Sequence, residues 1–322
     1  MTDVEELKKL LGSDLPGRVS ALIASATASG ALVSMRTDAC TVTVDDLPPF
    51  VLRLFVPAEH RATARDTIHT GSVAASRAVS PFLAPDPALL VSAALPEHNV
   101  LLNKFPVVPR HLLLCTKAFA DQREHLTPAD CAALEALAAT AFADGTEGTG
   151  GALCFYNCGE DSGASQGHKH VQLVPRAGPQ PYFLDTLIGR ATDAERRAGR
   201  LARLDFAHAF VCLDRTHPGQ LHGAYTGLLR ALGIAPGIAP GTPHTSYNVL
   251  CTADWLFVVP RRAECWAAVL PTDPPCPVRT SVNSLGFAGS ILVREEAAYR
   301  YLHTVGPLPV LRAITFPLNP PK

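Results

Sequence analysis

No stretch of this sequence holds the roughly 18 consecutive apolar residues that a helical membrane span needs, so no membrane association is expected. Excess charge is missing as well. With 28 Lys and Arg against 29 Asp and Glu, the formal net charge of -1 removes the electrostatic case for nucleic acid or an anionic membrane as partner. There is no CxxC pair. The nine cysteines (Cys40, Cys115, Cys131, Cys154, Cys158, Cys212, Cys251, Cys265, Cys276) follow no repeat, so neither a zinc ribbon nor a disulfide framework is indicated, and reduced thiols are expected. Met1–Leu11 is acidic and then amphipathic, unlike a secretory signal or an Arg-rich transit peptide. A soluble, cytoplasmic protein is the expectation. The rest is ordinary globular composition, 47% hydrophobic and 18% charged, in a chain long enough to bury a large core.

Read in order, residues 1–30 suggest one or two short helices, the second from about Arg18 to Ala28. Thr41–Val44 and Phe50–Val56 read as strands, and residues 57–87 as a loosely structured excursion. Apolar runs at Leu89–Ala94, His98–Asn103 and His111–Thr116 follow. Thr127, Pro128 and Asp130 mark a helix start, with Thr as N-cap and Pro at the first position, and the helix should run to about Ala143. A strand at Ala152–Asn157 and another at residues 168–174 come next. The Arg-rich segment 190–203 reads as a solvated helix face, and Gly219–Leu232 as a second long helix. The Gly-Ile-Ala-Pro repeat in 233–241 reads as a loop. Ser246–Cys251 and Trp255–Pro260 suggest a strand pair, Ser290–Arg294 a last strand, 295–303 a short helix, and the remainder an extended Pro-rich tail. Strand pairs with short turns and helices inserted between groups predict α+β with an antiparallel sheet.

The stretch that carries chemistry runs from Asn157 to Pro175. Its first half, through Gly163, Ala164, Ser165 and Gln166, is small and polar, suited to a loop whose backbone wraps closely around a ligand. Its second half alternates: as a strand it puts His168, His170 and Gln172 on one face and Lys169, Val171 and Leu173 on the other. Two imidazoles fall short of a metal site, and Cys154, Cys158, Glu160 and Asp161 do not stand at any ligand spacing, so no protein-bound metal is expected. Nucleophilic catalysis fits better. A neutral imidazole can attack phosphorus or an acyl carbon through one nitrogen while the other is held by a carbonyl, with Gly163, Ser165 and Gln166 as donors to the developing charge.

His168-x-His170-x-Gln172 resembles the histidine-triad superfamily in its transferase branch, where Gln holds the third position. The longer run from Asn157 to Pro175 resembles the ATP adenylyltransferase, or diadenosine tetraphosphate phosphorylase, family. Three further blocks agree in order: His98–Pro109, Trp255–Arg261 ending Val-Val-Pro-Arg, and Asn283–Gly289. The resemblance covers about residues 50 to 294.

That resemblance implies a histidine-triad-like sheet with flanking helices. An N-terminal catalytic region, 1–185, would be completed by a C-terminal region, 186–322, on one cleft. It implies transfer in two steps: His170 attacks an α-phosphate of diadenosine tetraphosphate and expels ATP, and inorganic phosphate then takes the AMP to give ADP, reversibly. His168 would support the network around His170, and Gln172 would hold the transferred phosphate without assisting water. Asn157 and Gly163–Gln166 would bind phosphates and ribose. Asn103 and Lys104 would contact substrate, and Asn283, Ser284 and Leu285 the far nucleotide or phosphate. No cofactor is implied beyond a divalent cation such as Mg arriving on the polyphosphate. A monomer or homodimer is expected. The sequence departs from the family where a Lys follows the first strand (only His60 or Arg61 is near), and after Gly289, where Ser290 and Arg294 replace Met and Lys. Two other activities are weighed against this one: a related phosphorylase or transferase on adenylyl sulfate or a nucleotide sugar, and a non-catalytic dinucleotide sensor.

Overall fold

The computed structural model describes residues 3–57, 80–143, 151–176, 182–235, 244–271 and 274–318. His60, Arg61, most of the 57–87 excursion and most of the Gly-Ile-Ala-Pro repeat lie outside the described residues. In chain order the elements are helices α1 (Val4–Leu11) and α2 (Leu15–Ser29), strands β1 (Thr37–Val42), β2 (Phe50–Phe55), β3 (Leu90–Ser92), β4 (His98–Leu102) and β5 (Leu112–Thr116), helix α3 (Pro128–Thr140), and strands β6 (Ala152–Cys158) and β7 (His170–Pro175). Then come α4 (Phe183–Gly189), α5 (Asp193–Ala198), β8 (Ala209–Cys212), α6 (Leu221–Ala231), β9 (Ser246–Cys251), β10 (Trp255–Arg261), β11 (Cys265–Leu270), β12 (Cys276–Ser281), α7 (Ser284–Ala288), β13 (Ser290–Val293), α8 (Glu296–Val305) and α9 (Leu308–Ala313).

Eight strands form one antiparallel sheet in the order β3-β4-β5-β7-β6-β9-β10-β8. The pairing of β6 with β9 carries it across residues 185 and 186. A smaller sheet joins the β1–β2 hairpin to β13, with β2 and β13 parallel, and β11–β12 is a separate hairpin. The architecture is α+β, as expected.

Alternation along the strands gives each face of the large sheet its own core. Val171 and Leu173 of β7, with Cys154 and Tyr156 of β6, pack under α1, α2, α3 and α6. Leu153, Phe155 and Val174 face the other way, into a layer built from α4, α7, α8, α9 and the smaller sheet. On that second face, beyond β7, Leu101, Leu113 and Cys115 pack with Phe82. Burial of such aliphatic and aromatic side chains, about 1.5–3 kcal/mol each, holds the layers together. Helix α3 begins with a capping box, Thr127 and Asp130 exchanging side-chain and backbone hydrogen bonds. Asp130 also accepts from His98 Nε2 at 2.7 Å and faces the buried Lys169 ammonium at 3.2 Å, tying the helix to the residue next to His170.

Three expectations are corrected. The closing segment is not an extended tail: Pro307 and Pro309 stand at the start of a helix, where their missing amides cost nothing, and α9 runs on to Ala313. The first strand lies at Thr37–Val42, starting four residues and ending two residues before its β-branched run predicts, because its register against β2 pairs Thr37 with Phe55. Third, β7 begins at His170; His168 stands outside it in an isolated bridge to Asp121.

Candidate active site

Register places the site. Gln172 lies opposite Leu113 on β5 and opposite Phe155 on β6, and His170 opposite Cys115. The two polar side chains thus share the face that carries Leu113, Cys115 and Phe155, at the seam between the Phe82 cluster and the C-terminal layer.

The His170 ring is held by its own chain. Nδ1–H donates to the His168 carbonyl at 2.9 Å, which leaves the lone pair on Nε2. Burial is the main cause that pushes its pKa down to about 4, with the neighbouring His168 adding to it. The ring is neutral at physiological pH. It is 3% exposed and lies 5.2 Å from the Phe82 ring, so the imidazole is covered.

Beyond Phe155 the β6–β7 ladder parts, and the side chain of Gln122 fills the gap. Its Oε1 accepts from the His170 amide at 2.8 Å, and its Nε2 donates to the Asn157 carbonyl at 2.8 Å and to the His170 carbonyl at 3.2 Å. Gln122 replaces the missing strand pairing at His170.

His168 is engaged on both nitrogens. Nε2–H donates to the Thr116 and Ala118 carbonyls, at 2.9 and 3.2 Å, so Nδ1 accepts from the Ser80 hydroxyl at 2.7 Å. Its side chain anchors the segment carrying Phe82, and its backbone carbonyl orients His170. Gln172 has its Oε1 2.9 Å from Nε2 of His111, a buried imidazole whose pKa desolvation lowers to about 4. The other nitrogen of His111 faces Asn103 Nδ2 at 3.2 Å. Asn103 is therefore joined to Gln172 through His111, while Lys104, one residue on, is exposed with its ammonium 5.7 Å from the Phe105 ring.

The cradle and the downstream block meet at Asn157, which is 1% exposed. Its Oδ1 accepts three hydrogen bonds: from Asn248 Nδ2 at 2.8 Å, the Ser284 hydroxyl at 2.7 Å and the Ser284 amide at 3.1 Å. Behind it, Arg261 donates to Asn248 Oδ1 at 2.5 Å and to the Ala263 and Glu264 carbonyls. Burial lowers the Arg261 guanidinium to about 9, so it stays a cation in the wall of the cradle. Gly163 sits in the left-handed region at φ 80°, and a Cβ there would meet the Val282 carbonyl at 2.9 Å and Asn283 Cα at 3.1 Å. Only a glycine lets the loop lie against the start of α7. The amides of Gly163, Ala164, Ser165 and Gln166 donate to no backbone carbonyl among the described residues. Asn283 caps α7 by accepting from the Leu285 amide at 3.0 Å.

Ser290 and Arg294 stand on β13 and just past it, on the smaller sheet. Ser290 Oγ accepts from Arg53 Nε at 3.1 Å, and Arg294 lies 5.4 Å over the Phe55 ring. No hydrogen bond links either to His170 or Gln172.

Sequence reasoning overlooks His111, Gln122, Ser80, Phe82, Asn248 and Arg261. For His111 a signal exists: alternation along His111–Thr116 puts it on the face of Leu113 and Cys115. Gln122 lies in an irregular segment with no period to read.

Among the described residues no three His, Cys, Asp or Glu side chains group as metal ligands, and no helix is long and apolar enough to cross a membrane.

Known proteins match the chain along most of its length. The model of the Ap4A phosphorylase N-terminal domain matches residues 6–181, and that of the ATP adenylyltransferase C-terminal domain residues 202–317. Diadenosine 5',5'''-P1,P4-tetraphosphate phosphorylase 2 of Saccharomyces cerevisiae is 33% identical over 244 residues, 69% of this chain and 70% of that protein. Protein APA1 of the same yeast is 29% identical over 213 residues, 63% of each. The crystal structure of yeast Ap4A phosphorylase Apa2 superposes with a TM-score of 0.73 at 27% identity, covering 94% of this chain and 98% of that one. Its complex with Ap4A gives 0.72 at 26% identity, with the same coverage.

Proposed function

The chain belongs to the Ap4A phosphorylase family, and on that premise we propose that its covered imidazole, His170, carries the adenylyl group during phosphorolysis of diadenosine tetraphosphate. The protein is a nucleotidyltransferase of the α+β class that converts diadenosine tetraphosphate and phosphate to ATP and ADP.

Nε2 of His170 attacks the α-phosphorus of one adenylyl group. A phosphorus–nitrogen bond forms, the bond to the bridging oxygen breaks, and ATP leaves with that oxygen. An oxygen of inorganic phosphate then attacks the same phosphorus, the phosphorus–nitrogen bond breaks, and ADP leaves. The observation that carries this reading is the hydrogen bond from Nδ1–H to the His168 carbonyl on a ring that is neutral near pH 7, because it leaves the Nε2 lone pair available without a separate base. The unpaired amides of Gly163–Gln166 supply donors for phosphate oxygens, and Gln172 an amide for the transferred group. Asn157, Asn283, Ser284 and Leu285 act by holding the cradle against α7, where the second nucleotide is bound. Lys104, Ser290 and Arg294 contribute charge and polarity toward the distal part of the substrate, with a divalent cation carried on the polyphosphate. Nine free cysteines suit a reducing, cytoplasmic setting.

The test is to incubate the protein with diadenosine tetraphosphate with and without inorganic phosphate and resolve the nucleotides. ADP plus ATP that depend on phosphate support the reading. AMP plus ATP in its absence would mean a hydrolase, and no product a binding protein.

A further inference from the structure

From the chain of contacts behind Gln172 we propose that His111, held by Asn103, is a positioning residue. It fixes which arm of the Gln172 amide faces the transferred phosphoryl group. The inference rests on the phosphorylase reading and concerns a residue outside the His-x-His-x-Gln motif.

The polarity of the chain starts at a group that can only donate. The Phe105 backbone amide donates to Asn103 Oδ1 at 3.0 Å, so the other arm of that amide, Nδ2, is the one turned toward His111. Nδ2 is also donor only, and the ring nitrogen it approaches most closely is Nδ1, at 3.2 Å, with Nε2 at 3.5 Å. Nδ1 must then be the acceptor. With the ring neutral, its one proton sits on Nε2, which donates to Gln172 Oε1 at 2.9 Å. Oε1 is thereby taken, and Nε2 of Gln172, which has no hydrogen-bond partner among the described residues, is the arm presented to the site. The ring is itself fixed, buried and 5.7 Å from the Phe155 ring.

Without this chain the two arms of Gln172 are nearly equivalent in shape. An amide turned the other way would point a carbonyl oxygen at a phosphoryl group whose oxygens are gaining negative charge. That arrangement repels the transition state where the observed one stabilises it. His111 touches neither substrate nor the reacting atoms in this account. Its influence therefore falls on the chemical step, with substrate binding nearly unchanged.

The experiment compares His111→Gln and His111→Met, two side chains of similar size, of which only Gln offers an N–H near the position of the imidazole Nε2. Rates of phosphate-dependent ADP and ATP formation are measured for the unchanged enzyme, both variants, Gln172→Met, and the double variant His111→Met/Gln172→Met, with the melting temperature of each. The proposal expects His111→Met to lower kcat about ten- to a hundredfold, the size of losing one oriented donor, with KM changed by less than about threefold. It expects His111→Gln to recover kcat to within about fivefold, and the double variant to be no slower than Gln172→Met alone. Equal losses in the Gln and Met variants, or losses that multiply in the double variant, would mean a structural role and overturn it. A His111→Met variant as fast as the unchanged enzyme overturns it alone, leaving the phosphorylase reading in place. No phosphate-dependent product from the unchanged enzyme overturns both.

Discussion

Replacing Gln122 by Met isolates what holds His170 in place. Met keeps the length and volume of the side chain, so the cavity cost is small and the loss is almost entirely polar. Three buried backbone groups lose their partner: the His170 amide at 2.8 Å, the His170 carbonyl at 3.2 Å and the Asn157 carbonyl at 2.8 Å. A buried polar group left without its hydrogen bond costs about 1–3 kcal/mol, so three together give roughly 4 kcal/mol. Gln122's own backbone bonds, its amide to Gly167 and its carbonyl from the Tyr156 hydroxyl, are unaffected by the change. Native proteins are stable by about 5–15 kcal/mol, so the variant should fold, with its urea midpoint lowered by about a quarter or more at an unchanged slope. The same change frees the strand segment that aims His170, so kcat should fall further than the fraction folded explains. A loss under about 1 kcal/mol, with kcat retained, would refute the reasoning: it would mean that water or a shift of β6 satisfies these groups as well as Gln122 does.

The buried histidines make stability depend on acid. His111, His170 and His208 are each held near pKa 4 mainly by desolvation, against an ordinary value of 6.5. Between those values the unfolded chain binds more protons than the folded one, so their contribution is complete above pH 6.5 and is lost as pH falls toward 4. At pH 5 the loss is about 2 kcal/mol for each ring, and urea midpoints measured between pH 7 and 5 should fall steeply; a flat profile would contradict the burial of these rings. Gly163→Ala should cost about 1–3 kcal/mol, from a non-glycine residue at φ 80° and a Cβ against the Val282 carbonyl, and should weaken nucleotide binding measured by calorimetry; unchanged affinity would separate the loop from the substrate.

Much of this is legible in the sequence alone. The antiparallel α+β class follows from strand pairs and short turns, and the capping box at Thr127 and Asp130 from local chemistry alone. The motif from Asn157 to Gln172 is contiguous, so its residue types can be read together. What escaped is non-local. The contact of Asn157 with Ser284 spans 127 positions, and the amide of Gln122 reaches His170 from 48 positions away. His111 heads an apolar strand whose face is fixed only by its register against β7. The covering of His170 by Phe82 depends on a segment whose sequence has no hydrophobic period to follow. The closing helix was hidden by its prolines, which read as extended structure until they are seen at a helix start.

The central claim is that His170 becomes covalently adenylylated, and one measurement addresses it directly. The protein is mixed with diadenosine tetraphosphate in the absence of phosphate, quenched under conditions that keep a phosphorus–nitrogen bond, digested, and analysed by mass spectrometry. The account predicts one adenylyl group on the peptide containing His170, with ATP released in equal amount and the label discharged as ADP when phosphate is added. An adenylyl group carried by another residue, or turnover with no labelled protein at any time, would contradict it.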